Sequence, residues 1–396
     1  MQRLFSLIPP NITRIDLLAP PFSGHLHPVL AMGRALASHY QVRIISTRGA
    51  LARIEAAGLT GVALPGDYDR PLLAVVNPEY AVKSHPVRLY RQFRNVVGLL
   101  KQFADQLEQL WLHHGKPELA IADFTLPVVS VPCQRLDVIW WSSLPSPCVL
   151  ETPDGAPAYC GGLMPARHPG QQLWHLIHRK KVRWFKHAMF WLFRGTIRQT
   201  GIERLYRQDG SETAYSATRI LALSEPSFEF PRTWPAAVSF IGPALYTPPV
   251  KENTPPFEEG KRHILITFGT HLDWHKEAVA HAVSRLAHSQ PDWVFHFTDG
   301  NPHGTTDQRQ GNMYRVAWID YDRWLARYDA VIHHGGAGIM WHCLTLNIPA
   351  LVYPVDYDQF DHAARLEYSG KGIWLKGGLK ALENAGPQLQ CLMDKQ

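Results

Sequence analysis

The sequence predicts an α/β protein of two doubly wound, parallel-sheet domains facing across a cleft. Three observations predict it. Short apolar runs, the pattern of strands buried on both faces, recur and are joined by an amphipathic helical stretch at the start. The pattern breaks at residues 246–257, which hold four prolines, and then restarts. The length of 396 residues accommodates two domains at roughly 100–200 residues each.

The elements follow in order. Residues 1–13 read as a short extension. Residues 15–19 (Ile-Asp-Leu-Leu-Ala) read as a buried strand that runs into a Pro-Pro-Phe-Ser-Gly turn at 20–24. A helix is expected from Pro28, because proline suits the first helical position. Val29, Leu30, Met32, Gly33, Leu36 and Ala37 give it an apolar face. Residues 42–46 form the next strand, and strand–helix–strand connections of this kind are right-handed. Further strands are expected at 119–123, 137–142 and 220–224, the last closing the first half. A Gly/Pro-rich loop is expected at 151–170, followed by a helical block. After the break, strands are expected at 263–268, 293–297, 329–333 and 349–354. The boundaries are therefore 1–245, a linker 246–260, and 261–396. Ligands of such folds bind at the carboxyl ends of the strands, here expected at the cleft.

Composition excludes several classes. Hydrophobic residues are 45% and charged residues 19%, which fits a globular chain and not a disordered one. The 29 glycines and 31 prolines have no collagen-like period. Cys133, Cys148, Cys160, Cys343 and Cys391 are widely spaced and odd in number. They suggest neither a zinc ribbon nor a disulfide scaffold, and a reducing compartment fits better. No apolar run is long enough for a transmembrane helix, and the run before Pro9 is too short for a signal peptide. A cytoplasmic protein is expected.

Charge is uneven. The chain carries net +6, but residues 165–208 hold ten Lys/Arg against the single acid Glu203, so the remainder is net negative. Trp174, Trp184, Phe185, Phe190, Trp191 and Phe193 are interspersed there. Three readings stand: peripheral contact with the inner face of a membrane, a nucleic-acid surface, which is disfavoured, and an ordinary amphipathic helix with its aromatics inward.

The strongest motif is His334-Gly335-Gly336-Ala337-Gly338, directly after an expected buried strand. Glycines there let backbone N–H groups approach an oxyanion, and the following helix start favours negative charge. Asp358-Gln359 lies 24 positions beyond His334, with side chains suited to hydroxyl groups. Trp318 lies 16 positions before it and offers an indole face to a nucleobase. No G-x-G-x-x-G follows the first strand, which disfavours an NAD-dependent dehydrogenase. No metal-ligand cluster is evident.

The segment from Trp318 to Gln359 resembles the nucleotide-sugar signature of family 1 glycosyltransferases, the superfamily of UDP-glycosyltransferases and bacterial macrolide glycosyltransferases with the GT-B fold of two Rossmann-like domains. The loop Pro21-Phe22-Ser23-Gly24-His25-Leu26-His27-Pro28 is similar to that family's first strand–helix loop. Phe268-Gly269-Thr270 is similar to its second-domain Gly-Ser/Thr turn. The resemblance implies an N-terminal acceptor domain and a C-terminal nucleotide-sugar domain. It implies that His25 is the general base and Asp123 the acid that orients it. It implies that His334, Gly335, Gly336, Ala337 and Gly338, with Thr270, bind the diphosphate; that Trp318 stacks on the base; and that Asp358 and Gln359 hold the donor sugar. His342 stands where the family often has the Glu that grips the ribose, Ile339 replaces the usual Ser/Thr, Asp320 and Tyr321 replace Pro-Gln, and His362 replaces a common Asn. UDP- and dTDP-linked donors both remain open.

The resemblance thus implies a metal-independent, inverting transferase. It would move a sugar from a nucleotide-sugar co-substrate to a hydroxyl of a lipophilic or aromatic small molecule, with no other cofactor. Two alternatives are a nucleotide-sugar epimerase and a degenerate, non-enzymatic binding protein. The changes at Ile339 and His342 and the few residues after Gly372 motivate the second.

Overall fold

The computed structural model describes residues 2–77, 85–249, 254–271 and 273–394; positions 250–253 of the expected linker lie outside the described residues. The chain divides into two compact units, Met1–Val75 with Ser84–Tyr246, and Val76–Lys83 with Thr247–Gln396.

Among the described residues the first unit carries seven strands: β1 (Arg14–Leu18), β2 (Gln41–Ser46), β3 (Thr60–Ala63), β4 (Leu119–Asp123), β5 (Ile139–Leu144), β6 (Ile220–Ala222) and β7 (Val238–Phe240). They form one parallel sheet in the order β3-β2-β1-β4-β5-β6-β7. Order reverses beside β1, which pairs with β2 on one side and β4 on the other. Successive side chains of a strand serve opposite faces. Leu17 belongs to the core beneath Leu26 and Leu30 of the helix Ser23–Leu36. Leu18 belongs to the core built with Leu107 and Trp111 of the helix Pro86–His114. Both faces being covered, the strand reads as a continuous apolar run. Its one acid, Asp16, is fully buried and satisfied: Arg43 donates to it at 2.8 and 2.6 Å, and Trp111 Nε1 at 2.8 Å. A buried carboxylate is tolerated only with such partners.

The second unit repeats the plan with β8 (Arg262–Thr267), β9 (Trp293–Thr298), β10 (Asp307–Gln310), β11 (Met313–Val316), β12 (Ala330–His333), β13 (Ala350–Val352) and β14 (Gly372–Trp374). The sheet order is β10-β11-β9-β8-β12-β13-β14. Only β10, a polar edge strand, runs antiparallel to its neighbour. Ile264 and Ile266 pack with Val283 and Leu286 of the helix Asp273–Ser289, while Leu265 faces Leu325, Ile339 and Cys343.

Several expectations are corrected. Residues 1–13 are not a plain extension: Gln2–Leu7 is a helix whose Leu4 is fully buried, and Ile8 and Ile12 join the same core. The first long helix begins at Ser23, not Pro28, which sits inside it. The strand expected from 137 begins at Ile139, because Asp137 takes a positive φ of 53°. Strand 220–224 does not close the first sheet; β7 does. Within the block 165–208, helix covers Pro169–Leu192 and Arg194–Gln199 only. Its tryptophans do not turn inward: Trp174, Trp184 and Trp191 are 53, 70 and 65% exposed.

Candidate functional site

Two clusters of expected site residues form, one in each unit, both at carboxyl ends of parallel strands. In the first unit, β1 and β4 are paired neighbours, with Leu18 opposite Ala122. The loop after β1 therefore emerges beside the end of β4. Asp123 is the last residue of β4, and His25 is the third residue of the helix Ser23–Leu36. His25 Nδ1 lies 3.0 and 3.1 Å from the two carboxylate oxygens of Asp123. The His25 side chain is 27% exposed and that of Asp123 is fully buried. A carboxylate only accepts, so Nδ1 carries the proton in the neutral ring and Nε2 carries the lone pair. Asp123 is itself fixed: its Oδ1 accepts from the backbone N–H of Thr125 at 3.0 Å and from the Thr125 hydroxyl. Sequence reading missed Thr125, although a Thr two positions after an Asp at a strand end is a recognisable turn signal. Phe22 and Phe124 flank the His25 ring at centroid distances of 6.3 and 5.7 Å. His27 turns instead to Tyr246, ring edge to face at 5.5 Å.

In the second unit, β12 pairs with β8 on one side and β13 on the other, with His333 opposite both Thr267 and Val352. The turns after these three strands carry Gly269-Thr270, His334–Gly338 and Asp358-Gln359. The His334 ring is seated between two glycines. A Cβ at Gly336 would collide with its Nε2, and one at Gly269 would lie 2.9 Å from its Cε1. Its Nδ1 reaches the Thr267 carbonyl at 3.5 Å. Burial lowers the His334 pKa to about 4; the Thr267 carbonyl and Asp358 oppose the shift, and Lys276 adds to it. At neutral pH His334 is therefore uncharged, with its one N–H at Nδ1 towards the Thr267 carbonyl and a lone pair on Nε2. Gly336 caps the helix Ala337–Thr345, Ala337 opens it, and Gly338 in its first turn is exposed.

Gly335 is held on both sides. Its N–H donates to His333 Nδ1 at 3.0 Å, and its carbonyl accepts from His362 Nδ1 at 2.7 Å. Its φ is 92°, and a Cβ there would lie 2.9 Å from the Gln359 carbonyl oxygen. Only glycine fits. His333 and His362 are both buried, and burial holds the His333 pKa down to about 3. The sequence marks His362 only as replacing a common Asn; the hold of both rings on Gly335 is set by tertiary packing.

Gln359 is buried, and its side-chain oxygen accepts from the backbone N–H groups of Val355 at 2.8 Å and Asp356 at 3.0 Å. That end of the amide shapes the loop, leaving the NH₂ end as the donor. Asp358 is half-buried, just before the helix Gln359–Tyr368. Thr270 is half-buried at the bend after Gly269. Trp318 lies nearly parallel to Tyr321, centroids 6.2 Å apart, and its buried Nε1 has no hydrogen-bond partner. Tyr321 meets the edge of buried His342 at 5.5 Å, and its hydroxyl bonds Thr267 Oγ1 at 2.8 Å. Trp318, Tyr321 and His342 thus form one aromatic row, and His342 approaches Asp322 at 3.9 Å. Buried Lys276 was also missed. It donates to the Asp299 carbonyl at 2.8 Å and to Asp273 at 2.9 Å, and no sequence motif announces it. Among the described residues, no group of three or more His, Cys, Asp or Glu side chains is placed to hold a metal.

Comparison with known proteins gives a consistent picture. Residues 283–384 match the family described as erythromycin biosynthesis protein CIII-like, C-terminal domain. The chain is 23% identical to 4'-demethylrebeccamycin synthase of Lentzea aerocolonigenes over 92% of its own length and 87% of that protein's. It is 28% identical to zeaxanthin glucosyltransferase of Pseudescherichia vulneris, over 38% of this chain and only 37% of that protein. Among solved structures, the glycosyltransferase SsfS6 of Streptomyces sp. SF2575, complexed with thymidine diphosphate, matches with a TM-score of 0.64. It has 16% identity over 97% of this chain and 95% of that one.

Proposed function

We propose that the chain is a family 1 glycosyltransferase, as its erythromycin CIII-like match and its full-length likeness to 4'-demethylrebeccamycin synthase support, and that it is an inverting enzyme that moves a sugar from a UDP- or dTDP-linked donor to a hydroxyl of a lipophilic or aromatic acceptor. The observation that carries this reading is the His25–Asp123 pair at the carboxyl ends of β1 and β4. A hydroxyl is a poor nucleophile until its proton is removed as the new bond forms. His25 Nε2 takes that proton while the acceptor oxygen bonds to the anomeric carbon. The bond from that carbon to the diphosphate oxygen breaks, and its electron pair leaves with the nucleoside diphosphate. Attack opposite the leaving group inverts the anomeric centre. Asp123 holds the tautomer and stabilises the imidazolium. General base catalysis of this kind is worth about 10²–10⁴-fold.

The second unit supplies the leaving-group site. The backbone N–H groups after Gly335, the start of the helix Ala337–Thr345 and Thr270 receive the diphosphate, and His334 joins them once Nε2 takes up a proton beside the incoming phosphate. Trp318 packs on the base, with His342 behind it through Tyr321. Asp358 and the Gln359 NH₂ hold donor-sugar hydroxyls. The route needs no metal and no cofactor beyond the co-substrate. The thymidine diphosphate bound to SsfS6 supports a dTDP-linked donor, as does the absence of an acid at position 342. The names of the relatives support natural-product or carotenoid-like acceptors. Cytoplasmic placement, with peripheral membrane contact through 165–208, would give access to such molecules.

Thermal-shift titration with UDP, dTDP, GDP and NAD tests the donor site. A ligand of the native state raises the midpoint by an amount that grows with the logarithm of its concentration over Kd. The expected result is stabilisation by dTDP or UDP that His334→Ala abolishes. Stabilisation by NAD alone, or by none of the four, contradicts the proposal. Epimerised donor formed without acceptor would favour the epimerase.

A further inference from the structure

The helix Pro169–Leu192 presents an apolar ridge to the outside. Its inward side is fixed by buried His175 and Met189 and by Lys186, which donates to Glu151 and Glu212 at 2.7 Å each. Phe185 meets Phe93 at 6.4 Å, and Phe193 just beyond the helix stacks on Tyr90 at 5.4 Å. These contacts leave Leu173, Ile177, Trp184 and Trp191 on one outward stripe, at spacings of four and seven residues. Leu173 is 59% exposed and Ile177 48%, beside the more exposed Trp184 and Trp191. Exposed Lys180 and Lys181 flank the stripe, and the Arg194 guanidinium covers the Trp191 ring at 4.8 Å. From Pro169 to Gln199 there is no Asp or Glu. The first turns of the helix Pro86–His114 continue the surface with exposed Val87 and Phe93 among Arg88, Arg91 and Arg94.

An apolar stripe of this length is unfavourable against water, and its basic flanks call for an anionic partner. Nucleic acid would use the lysines but gains nothing from Leu173 and Ile177. Indole rings beside Lys and Arg suit the headgroup layer of a bilayer, where one end of each side chain is apolar and the other wet. The helix is 24 residues long, about 36 Å at 1.5 Å per residue, and would lie in that layer. Among the described residues, no helix is long and apolar enough to cross a membrane. We propose that this face docks on an anionic lipid surface, with Trp184 and Trp191 among the headgroups and Lys180 and Lys181 against their phosphates. The purpose of docking rests on the lipophilic-acceptor reading; the binding itself does not.

Flotation of the full chain with phosphatidylcholine vesicles, with and without phosphatidylglycerol, tests this. The protein is expected to float with the anionic vesicles at low salt and to be released by added salt. Replacing Trp184→Ser with Trp191→Ser should weaken partitioning by roughly tenfold or more. Lys180→Glu with Lys181→Glu should do so by about tenfold or more. All four side chains are exposed, so the melting temperature of either variant should match the parent. Three results would each overturn the proposal: no flotation with anionic vesicles at low salt, flotation untouched by the tryptophan pair, or a dimer lost in that pair without lipid binding, which would assign the face to a second copy. Stabilisation of the same preparations by dTDP or UDP reads the donor site separately, so failure of one inference is distinguishable from failure of the other.

Discussion

Gly335 shows how single atoms set the site. It combines a positive φ with contact to the backbone of Gln359, and two buried imidazoles hold its amide and its carbonyl. The two rings play opposite parts: His333 accepts at Nδ1 and so is neutral with its proton on Nε2, whereas His362 donates from Nδ1. His362→Ala leaves the Gly335 carbonyl without its partner, at a cost of about 1–3 kcal/mol. The turn then loses its fixed position. The expected outcome is a lower melting temperature and a raised KM for the donor, with a smaller change in kcat. His362→Asn, which keeps an N–H donor, should recover part of the loss. An unchanged KM in His362→Ala would show that His362 does not position the proposed donor site through Gly335.

Elements differ in how far the sequence announces them. The nine strands expected from apolar runs are those buried on both faces, such as β4 and β9. The five that went unread are short: β3 is Thr-Gly-Val-Ala, β7 Val-Ser-Phe, β14 Gly-Ile-Trp, and β10 is polar and exposed throughout. β6, β12 and β13 are as short but belong to apolar runs of five or six residues; the unread strands lack such a run and exist because a neighbouring strand offers hydrogen bonds. β11 is as short, and it completes the edge beside β9. The start of the first long helix was misplaced for a different reason. Pro28 is a strong local signal for a first turn, but packing of Leu26 in the core extends the helix back to Ser23. The placement of the candidate site residues in loops at strand ends was readable because each follows an apolar run; the roles given to them rest on the resemblance. The parts of Thr125, His333, His362 and Lys276 were not readable, since their partners lie in the fold and not in the adjacent sequence. The outward face of the helix Pro169–Leu192 could not be chosen from sequence either. Two stripes of that helix carry aromatics, and the ion pairs of Lys186 decide which one is turned inward.

At the scale of the whole molecule, buried neutral histidines make stability depend on pH. Burial lowers the pKa of His296 to about 4, of His334 to about 4 and of His333 to about 3, from an ordinary 6.5. Below pH 6.5 the unfolded chain takes up protons that the folded chain refuses, so the unfolded state binds more and stability falls with acidification. The melting temperature should be roughly flat for these groups above pH 7 and drop progressively from about pH 6.5 towards 4. A melting temperature that is constant over that range would contradict the burial of these rings.

In the proposed reaction His25, oriented by Asp123, removes the acceptor proton. The most direct measurement is steady-state release of UDP or dTDP from glucose-linked donors with umbelliferone as a phenolic acceptor, comparing the parent with His25→Ala and Asp123→Asn. A catalytic base at His25 predicts a fall in kcat of about 10²–10⁴-fold for His25→Ala. It predicts a large fall for Asp123→Asn as well, and donor binding by thermal shift unchanged in both. Transfer at the parental rate by His25→Ala would contradict it.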